Sequence, residues 1–440
     1  MKNRKRWLWV LLAAALLLSG CSMQTVGQMY QLPKRPEDFS DLQSVIDSAM
    51  TNMDFCAPLT GENQQNVQMA DLDGDGEQEY LLFAKSNDAL PLRILLFKQE
   101  GEKFLHLDTI MSNGAAFDQV EYIQMDDKPG VEIVVGRQVS DQLVRAVSVY
   151  TFDAGETRQL LSVNYRKFVA ADINQDGLGE LFVLRPGQDE TDSGYAEFYT
   201  VKNGVMLHSN EAGMSAPVQN LKRILVGKLH DGKTAVYVAS TVGDRSLITD
   251  VYTVQNLRLT NVSLSAESGT SIQTLRNSYV YADDIDHDGI VELPSLIAAD
   301  SEGNVPNADQ RGVICWYALD SNGNTVEKLY TYYEAVGGWY LKLNEKLAHR
   351  ITVRCVGNAY EFYLWHGDFT VAQKLMTVYA LTGQNREEQS IADGRFVLLK
   401  TDLTTYSAKL ENAAGDYYIT QQSVINNFHL IHRHWNTGET

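Results

Sequence analysis

Short apolar runs separated by polar turns dominate residues 57–336. The turns are rich in Gly, Asn and Asp, and few stretches are long enough to form a helix. Many short strands with polar turns indicate an all-β sandwich, barrel or propeller. The clearest apolar runs are Tyr80–Phe83, Leu92–Phe97, Glu132–Val135, Leu181–Leu184 and Val236–Val238.

An acidic segment repeats within this region and favours the propeller. Each strong copy has Asp or Asn at positions 1, 3 and 5, Gly at 6 and Glu at 9, and a β-type run follows. Strong copies begin at residues 71, 172 and 284, and decayed copies begin between them at 124 and 227. Equal units of about 50 residues are typical of propeller blades. We therefore predict a mainly β protein, with a propeller of about five blades over 57–336.

The regions on either side have different patterns. Asp38 is placed to cap an amphipathic helix, because the apolar residues after it recur every three or four positions. After residue 336 the acidic loops stop and tryptophans become frequent. Strand-like runs and a final helical pattern indicate a small α+β domain over 337–440. The final helical pattern consists of Val424, Phe428, Ile431, His432 and Trp435.

The acidic loops have the composition of a calcium site. Alternating carboxylates around a tight Gly turn direct several oxygen atoms to one point, which a hard cation requires. An EF-hand would also need an acidic residue at position 12, but Leu82, Val183 and Ser295 stand there. A crowded carboxylate cage does not leave Mg²⁺ its water ligands, and the loops lack the thiolates typical of zinc sites.

We predict up to three calcium ions with a structural role. The ligands are the side chains at positions 1, 3, 5 and 9 and the peptide oxygen at position 7. The predicted metal ligands are Asp71, Asp73, Asp75, Glu77 and Glu79; Asp172, Asn174, Asp176, Leu178 and Glu180; and Asp284, Asp286, Asp288, Ile290 and Glu292.

This pattern, followed by a β-run, resembles the calcium loops of the FG-GAP/VCBS repeat family, which also occur in integrin α-subunit propellers. The resemblance covers about residues 60–335 and implies a calcium-loop β-propeller. Two departures stand out. Asn174 replaces a carboxylate, and Lys128 replaces a ligand Asp in the second unit. We expect the Lys128 ammonium to lie between Asp126 and Glu132, where the metal would otherwise be.

The first 21 residues have the organisation of a lipoprotein signal. A basic stretch is followed by 12 apolar residues, Trp7–Leu18, too few to span a bilayer. The segment ends in Leu18-Ser-Gly-Cys21, which resembles the lipobox of bacterial lipoproteins. The resemblance implies that Cys21 is lipidated. We predict a signal peptide over 1–20, a lipidated tether with a short helix over 21–56, and a location on the outer face of a bacterial cell membrane.

Charge and cysteine content limit the possible functions. The chain has 37 Lys and Arg against 56 Asp and Glu, a net charge of −19. Such an anionic protein is unsuited to bind the phosphate backbone, so we expect no nucleic-acid partner. Once Cys21 is assigned to lipid, three cysteines remain: Cys56, Cys315 and Cys355. At most one intramolecular disulfide can form, so the fold depends on its core.

No catalytic constellation is recognisable, so we predict a non-enzymatic binding module for an unknown protein or glycan ligand. A carboxylate that binds a metal has a lowered pKa, so the carboxylates of these loops are unsuited to act as general acids. Two alternatives remain open: an accessory subunit of an envelope complex, and a surface polysaccharide hydrolase whose cleft the C-terminal domain completes.

Overall fold

The computed structural model describes residues 40–101, 103–139, 144–189, 191–297, 311–366 and 369–431. The predicted signal peptide, Cys21 and most of the predicted tether lie outside these ranges. The first described element is helix α1 (Ser40–Ala49), which lies where the apolar spacing predicts a helix. None of the helices in the described ranges is long and apolar enough to cross a bilayer.

The chain after α1 forms antiparallel sheets, and the first two are built almost entirely from consecutive strands. Sheet 1 has β3 at its centre, paired with β1, β2 and β4, and β5 at its edge. Sheet 2 has the order β6-β7-β8-β9. Their strands are β1 (Asp54–Phe55), β2 (Val67–Ala70), β3 (Glu79–Lys85), β4 (Leu92–Glu100), β5 (Lys103–Ser112), β6 (Ala116–Ile123), β7 (Glu132–Gln138), β8 (Arg145–Asp153) and β9 (Glu156–Tyr165).

Sheets 3 and 4 repeat the same four-stranded meander, with the orders β10-β11-β12-β13 and β14-β15-β16-β17. Their strands are β10 (Lys167–Ala171), β11 (Glu180–Arg185), β12 (Tyr195–Lys202), β13 (Val205–Gly213), β14 (Leu221–Lys228), β15 (Thr234–Val242), β16 (Ser246–Gln255) and β17 (Arg258–Asn261).

The last two sheets share the C-terminal part of the chain. Sheet 5 has the order β18-β19-β20-β21-β27, and sheet 6 has the order β22-β23-β24-β26-β25. Their elements are β18 (Leu293–Leu296), β19 (Arg311–Leu319), β20 (Thr325–Glu334), β21 (Trp339–Leu343), α2 (Glu345–Ala348), β22 (Ile351–Val356), β23 (Ala359–Leu364), β24 (Gln373–Thr382), α3 (Arg386–Ile391), β25 (Phe396–Lys400), β26 (Thr404–Leu410), α4 (Gln421–Asn427) and β27 (Phe428–Leu430).

Two expectations about the C-terminal part differ from the structure. The predicted boundary after residue 336 falls inside sheet 5, because β21 pairs with β20 through the register Glu334↔Trp339. Of the predicted last helix, only Val424 lies in a helix, which ends at Asn427, and Phe428 begins a strand that pairs with β21. His432 and Trp435 lie outside the described residues. Pairing with a distant sheet edge therefore outweighs the local helical spacing of the apolar residues.

Apolar side chains join neighbouring sheets face to face in chain order. The outer face of sheet 1 is covered by α1, where Ile46 packs on Leu82 and Phe97. The fold is therefore mainly β, and its core consists of layers between successive sheets. Members of these layers, from the first interface to the fifth, are Phe83, Ile94 and Val135; Val134, Phe168 and Val183; Phe182, Val236 and Tyr252; Tyr237, Leu293 and Tyr317; and Trp339, Phe362 and Val378.

The described cysteines contribute no covalent link. Cys56, Cys315 and Cys355 are all free thiols, and Cys315 is buried. The fold therefore depends on apolar burial, as expected from the cysteine content.

Candidate metal centres

Five matched turns lie at the start of corresponding strands in sheets 1 to 5. We name them loop A (71–79), loop B (124–132), loop C (172–180), loop D (227–235) and loop E (284–292). Loop A joins β2 to β3, and loop C joins β10 to β11. In loop E, a single antiparallel bridge between Asp283 and Glu292 closes the turn just before β18. All three acidic loops therefore lead into strands, as the sequence predicts.

Loops A and B are interlocked. A Cβ atom on Gly74 of loop A would lie 2.3 Å from Cβ of Pro129, and one on Gly130 of loop B would lie 2.3 Å from the Leu72 carbonyl oxygen. Gly74 and Gly130 also have φ of +71° and +99°. Only glycine meets both requirements at this contact.

Backbone and side-chain hydrogen bonds join the other neighbouring loops. The Gly179 N–H of loop C donates to the Gln124 carbonyl oxygen of loop B at 2.7 Å. The Gln175 side chain of loop C donates to the carbonyl oxygen of Gly232 in loop D at 2.8 Å. The Val291 N–H of loop E donates to the Lys228 carbonyl oxygen of loop D at 3.0 Å. The five loops thus form a continuous chain of contacts.

A common backbone frame orients the first carboxylate of each acidic loop. The N–H of the glycine at position 6 donates to the Asp at position 1, at 3.1 Å in loop A, 3.0 Å in loop C and 2.9 Å in loop E. These glycines have φ of +91°, +91° and +85°, a conformation that a side chain would strain. They are Gly76, Gly177 and Gly289.

A second contact fixes the glutamate at position 9. In loops A, B, C and E, one of its oxygens accepts the N–H of the residue at position 2, whose apolar side chain is buried. The distance from this backbone nitrogen to the glutamate Oε2 atom is 2.8 Å in loop A, 2.7 Å in loop B, 2.9 Å in loop C and 3.0 Å in loop E. The buried residues at position 2 are Leu72, Met125, Ile173 and Ile285, whereas loop D has the exposed Lys228 there.

Loop E has the clearest unsatisfied acceptors. Glu292 is fully buried, and its Oε2 atom accepts from Ile285 while its Oε1 atom has no hydrogen-bond partner among the described residues. The buried Oδ1 atom of Asp286 also lacks a hydrogen-bond partner. One oxygen atom each of Asp284, Asp286 and Glu292 lies within 4.8 Å of the others. Buried acceptors without a donor are costly, so the geometry of the cluster fits a cation site.

The electrostatics of loop E agree with this geometry. Burial raises the pKa of Glu292 to about 8, and the neighbouring carboxylates of Asp286, Asp288 and Asp284 act in the same direction. Lys328 of β20 lies at the rim, where its Nζ donates to Asp288 Oδ2 at 2.6 Å. Burial opposes ionisation of Asp288, but the hydrogen bonds from Lys328 and from the Ile290 N–H, together with the charge of Lys328, outweigh it, so the pKa of Asp288 is lowered. The innermost carboxylate therefore lacks a compensating charge.

Loop C places Asp172, Asp176 and Glu180 in a similar cluster, within 4.8 Å of one another. Burial is the main reason that the pKa of Glu180 is raised to about 7. The Asn174 amide nitrogen donates to Glu180 and, at 3.0 Å, to Asp176. Its Oδ1 atom accepts the Asp176 N–H at 2.8 Å. The predicted ligand Asn174 thus bridges two carboxylates here, and a cation would have to compete with these bonds.

Loop A already contains a cation, supplied by the protein. Lys98 of β4 places its Nζ 2.8 Å from Asp73, 2.6 Å from Asp75 and 3.3 Å from Glu79. The hydrogen bonds to Asp73 and Asp75 raise the pKa of Lys98, so the amine stays protonated. The ammonium occupies the centre of the predicted site, although Asp71, Asp73 and Glu79 remain close enough to share a metal.

The prediction that the Lys128 ammonium of loop B lies between Asp126 and Glu132 is wrong. Its ammonium contacts Asp153 Oδ2 at 2.7 Å, and the side chain is 59% exposed. Only the Lys128 backbone N–H reaches Asp126, at 2.8 Å. The side chain turns outward because Asp153, at the end of β8, offers an exposed carboxylate. In loop D, Ala235 takes the place of the glutamate.

The peptide oxygens predicted as ligands at position 7 remain predictions. The structure shows the N–H groups of Glu77, Leu178 and Ile290 donating to the carboxylates at position 5, at 2.8 to 2.9 Å. These bonds orient the carboxylates of Asp75, Asp176 and Asp288. Within each acidic loop, most of the side chains predicted as metal ligands lie close together.

Sequence analysis missed Lys98, because the lysine lies 19 residues beyond loop A. Strand pairing places it directly across from Glu79, since Tyr80 pairs with Phe97. The matching positions in sheets 2, 3 and 4 are Thr151, Thr200 and Thr253. An alignment of the five units through their third strands would have singled out the lysine.

A further cluster lies away from the loops. Glu197, His208 and Glu211 of sheet 3 each place one ligand atom within 4.8 Å of the others. Glu197 already accepts from Arg185 at 3.1 Å and from Tyr199 at 2.9 Å. The adjacent guanidinium opposes a cation there, so loops C and E are better candidates.

Comparisons with known proteins do not assign this chain to a family. No protein-family model matches it. No curated protein matches it. Solved structures that resemble it include a rhamnogalacturonan lyase from Bacillus licheniformis, with 10% identity and a TM-score of 0.30 over 52% of this chain and 57% of the lyase. A putative 6-phosphogluconolactonase from Bacteroides uniformis has 12% identity and a TM-score of 0.28, over 69% of this chain and 82% of its own.

Sqt1 from Chaetomium thermophilum has 10% identity and a TM-score of 0.30, over 81% of this chain and 98% of its own. The chain thus spans little more than half of the lyase. Similarities at these scores carry no argument about activity. The expectation of a non-enzymatic protein therefore stays a prediction.

Proposed function

We propose that this protein is a lipid-anchored, extracytoplasmic binding module whose stacked sheets form a β-propeller stabilised by calcium. Loop E carries the metal assignment, because Glu292 and Asp286 each bury an acceptor oxygen that lacks a donor. Oxygen donors around a tight turn suit Ca²⁺. The resident ion would be held by the side chains of loops C and E, and by loop A only if Lys98 moves.

The arrangement of the loops supports a structural role for the ion. Each acidic loop contacts a neighbouring loop that lacks a carboxylate cluster, through Gly74, Gly179, Gln175 or Val291. Fixing the carboxylates of an acidic loop therefore also fixes the contact with the next sheet. Calcium would neutralise these carboxylates and hold the loops in position.

The propeller itself is inferred from topology. Four-stranded antiparallel meanders follow one another in chain order, and each packs on the next through an apolar layer. Successive blades of a propeller are built in this way. The position of α1 over sheet 1 suggests a propeller whose first blade is covered by a helix.

Calcium titration of the metal-free protein tests the proposal. Extracellular calcium sites bind at about 10⁻⁴–10⁻³ M, so 1 mM Ca²⁺ should stabilise the fold by about 1 kcal/mol per occupied site. We expect a chelator to lower the Tm, calcium to restore it and magnesium to restore less. Unchanged melting curves with and without calcium would refute the metal assignment.

A matched pair of variants sharpens this test. Glu292→Gln should lose part of the calcium response, because it removes the innermost ligand of loop E. Glu132→Gln is the control, since Glu132 makes the same contact with Met125 in a loop without the carboxylate cluster. If both variants respond to calcium equally, loop E is not a site.

A further inference from the structure

A polar cleft lies far from the metal loops, among sheets 1, 2 and 3. Its volume is about 380 Å³, and its polar lining comes from Asn113, Arg137, Ser162, Asn164 and Arg185. Arg137 lies five residues after Glu132 along β7, or about 17 Å in an extended strand. The cleft is thus at the opposite strand ends from loops B and C.

Arg137 is a buried charge with no ion pair among the described residues. The residue is 8% exposed, and its Nη1 and Nη2 atoms donate to the hydroxyls of Ser148 at 2.6 Å and Ser162 at 3.4 Å. Its Nε atom is buried and has no hydrogen-bond partner within the described ranges. No carboxylate pairs with Arg137 in the part of the chain that the structure describes. Burying a guanidinium in this way is costly unless an anion compensates it.

Arg185 adds a second guanidinium from the equivalent position of sheet 3. It lies five residues after Glu180, as Arg137 does after Glu132. Its Nη1 atom contacts Glu197 Oε2 at 3.1 Å, and Tyr199 donates to the same oxygen. Glu197 does not line the cleft, so the lining formed by the described residues carries two positive charges and no carboxylate. This is notable on a chain whose net charge is −19.

The remaining lining groups are suited to an oxygen-rich ligand. The exposed amides of Asn113 and Asn164 make no side-chain hydrogen bond within the described residues, so their donors are available. Ser162 already accepts from Arg137 and Ser148, which fixes its orientation. A guanidinium offers donors in a planar fork that matches a carboxylate or another oxyanion.

We propose that this cleft binds a compact oxyanion, a carboxylate or a sulfate group, through Arg137 and Arg185. Arg137, which has no ion pair among the described residues, supplies one charge, and Arg185, which also contacts Glu197, supplies the second. The inference names a ligand class for the proposed binding module, and its biological role rests on that proposed function. It does not depend on calcium.

Isothermal titration calorimetry on the calcium-saturated protein tests the inference. The probes are sodium D-glucuronate and sodium sulfate, each compared with sodium chloride at equal ionic strength, and D-glucose is the neutral control. We expect saturable heat with at least one oxyanion and none with glucose. Binding of glucuronate alone would indicate a carboxylate site, and binding of sulfate alone would indicate a tetrahedral oxyanion.

Three variants identify the groups responsible. Arg185→Gln should weaken binding at least about tenfold, which is the loss of one charge-assisted contact. Arg137→Gln should abolish binding if circular dichroism shows it folded, and the Arg185 variant decides the test if it is not. Arg258→Gln, at an exposed residue of β17, should bind like the wild type.

Absence of saturable heat with both oxyanions, or equal binding by wild type and Arg185→Gln, would overturn the inference. The same samples can be titrated with calcium after chelation. Oxyanion binding without a calcium response would reject the metal proposal and support the oxyanion cleft. A calcium response without oxyanion binding would reject the oxyanion cleft and support the metal proposal.

Discussion

Replacing Lys98 with threonine should create a stronger calcium site in loop A. Lys98 places its ammonium within hydrogen-bonding distance of Asp73 and Asp75 and 3.3 Å from Glu79. A calcium ion cannot share that position with the ammonium, so binding requires these contacts to be broken. Threonine is the natural choice, because Thr151, Thr200 and Thr253 occupy the matching positions in the next three sheets.

The structure gives the size of the effect. A hydrogen bond to a charged group contributes about 1.5–3 kcal/mol when it is shielded from water. The side chains of Lys98 and Asp73 are 21% and 31% exposed, so solvent screening reduces the contribution of this contact to about 1–2 kcal/mol, and the contact with the exposed Asp75 adds nothing to this figure. Since about 1.4 kcal/mol corresponds to a factor of ten, the variant should bind calcium in loop A roughly tenfold more tightly.

Calorimetric calcium titration measures this change, and thermal unfolding complements it. Wild type should bind calcium mainly in loops C and E, and Lys98→Thr should gain a third site of comparable affinity. Without metal, Lys98→Thr should melt below wild type, because three carboxylates then lose their counter-charge. Calcium should remove most of that difference.

Lys128→Thr is the matched control, since Lys128 points away from loop B and pairs with Asp153. It should leave both the calcium stoichiometry and the calcium-dependent Tm unchanged. The assignment of Lys98 as an internal cation is refuted if Lys98→Thr gives the same calcium isotherm as the wild type. A loss of calcium binding would equally contradict it.

Three further predictions concern pH, packing and anchoring. Burial raises the pKa values of Glu180 to about 7 and Glu292 to about 8, so the folded protein holds these protons more tightly than the unfolded chain does. The metal-free protein should therefore lose stability, on the order of a few kcal/mol, as pH rises from about 4.5 to 8, and calcium should flatten that slope in urea unfolding curves. Gly179→Ala should lower the Tm with and without calcium, because its Cβ would lie 2.3 Å from Ile123 Cδ1; a Tm equal to wild type would contradict the packing of loop C on sheet 2. Cys21→Ala should move the protein from the membrane fraction to the soluble fraction, and a variant that still sediments with membranes would reject the lipobox.

The loops could be predicted from sequence because their chemistry is local. All side-chain ligands of a loop lie within nine residues, so spacing alone shows which oxygens converge. Lys98 and Lys328 could not be found in this way, because each reaches its loop from a strand on the far side of a turn. Lys128 was misplaced for the related reason that its partner, Asp153, lies 25 residues further along the chain.

The same distinction applies to the fold. Alternation and turn composition identify the strands of sheets 1 to 4, whose pairing partners are their neighbours in sequence. Phe428 differs, because β27 pairs with β21 about 90 residues earlier, and a helical spacing of apolar residues gives no sign of that partner. The predicted boundary after residue 336 falls inside sheet 5 for a different reason: Trp339 pairs with Glu334 across a short turn, so the change in composition there does not mark the end of a sheet.

The alternation of acidic and decayed loops follows from how the loops meet. Five stacked sheets have four interfaces, and each contact between neighbouring loops involves one acidic loop and one decayed loop: A with B, B with C, C with D, and D with E. The three proposed cation sites, at alternate positions, would thus reach every interface. Loops B and D need no cation of their own, because each is held on both sides by an acidic loop. On this argument the loss of the carboxylates in loops B and D costs little rigidity, and the loss of loop C, which contacts both decayed loops, costs the most.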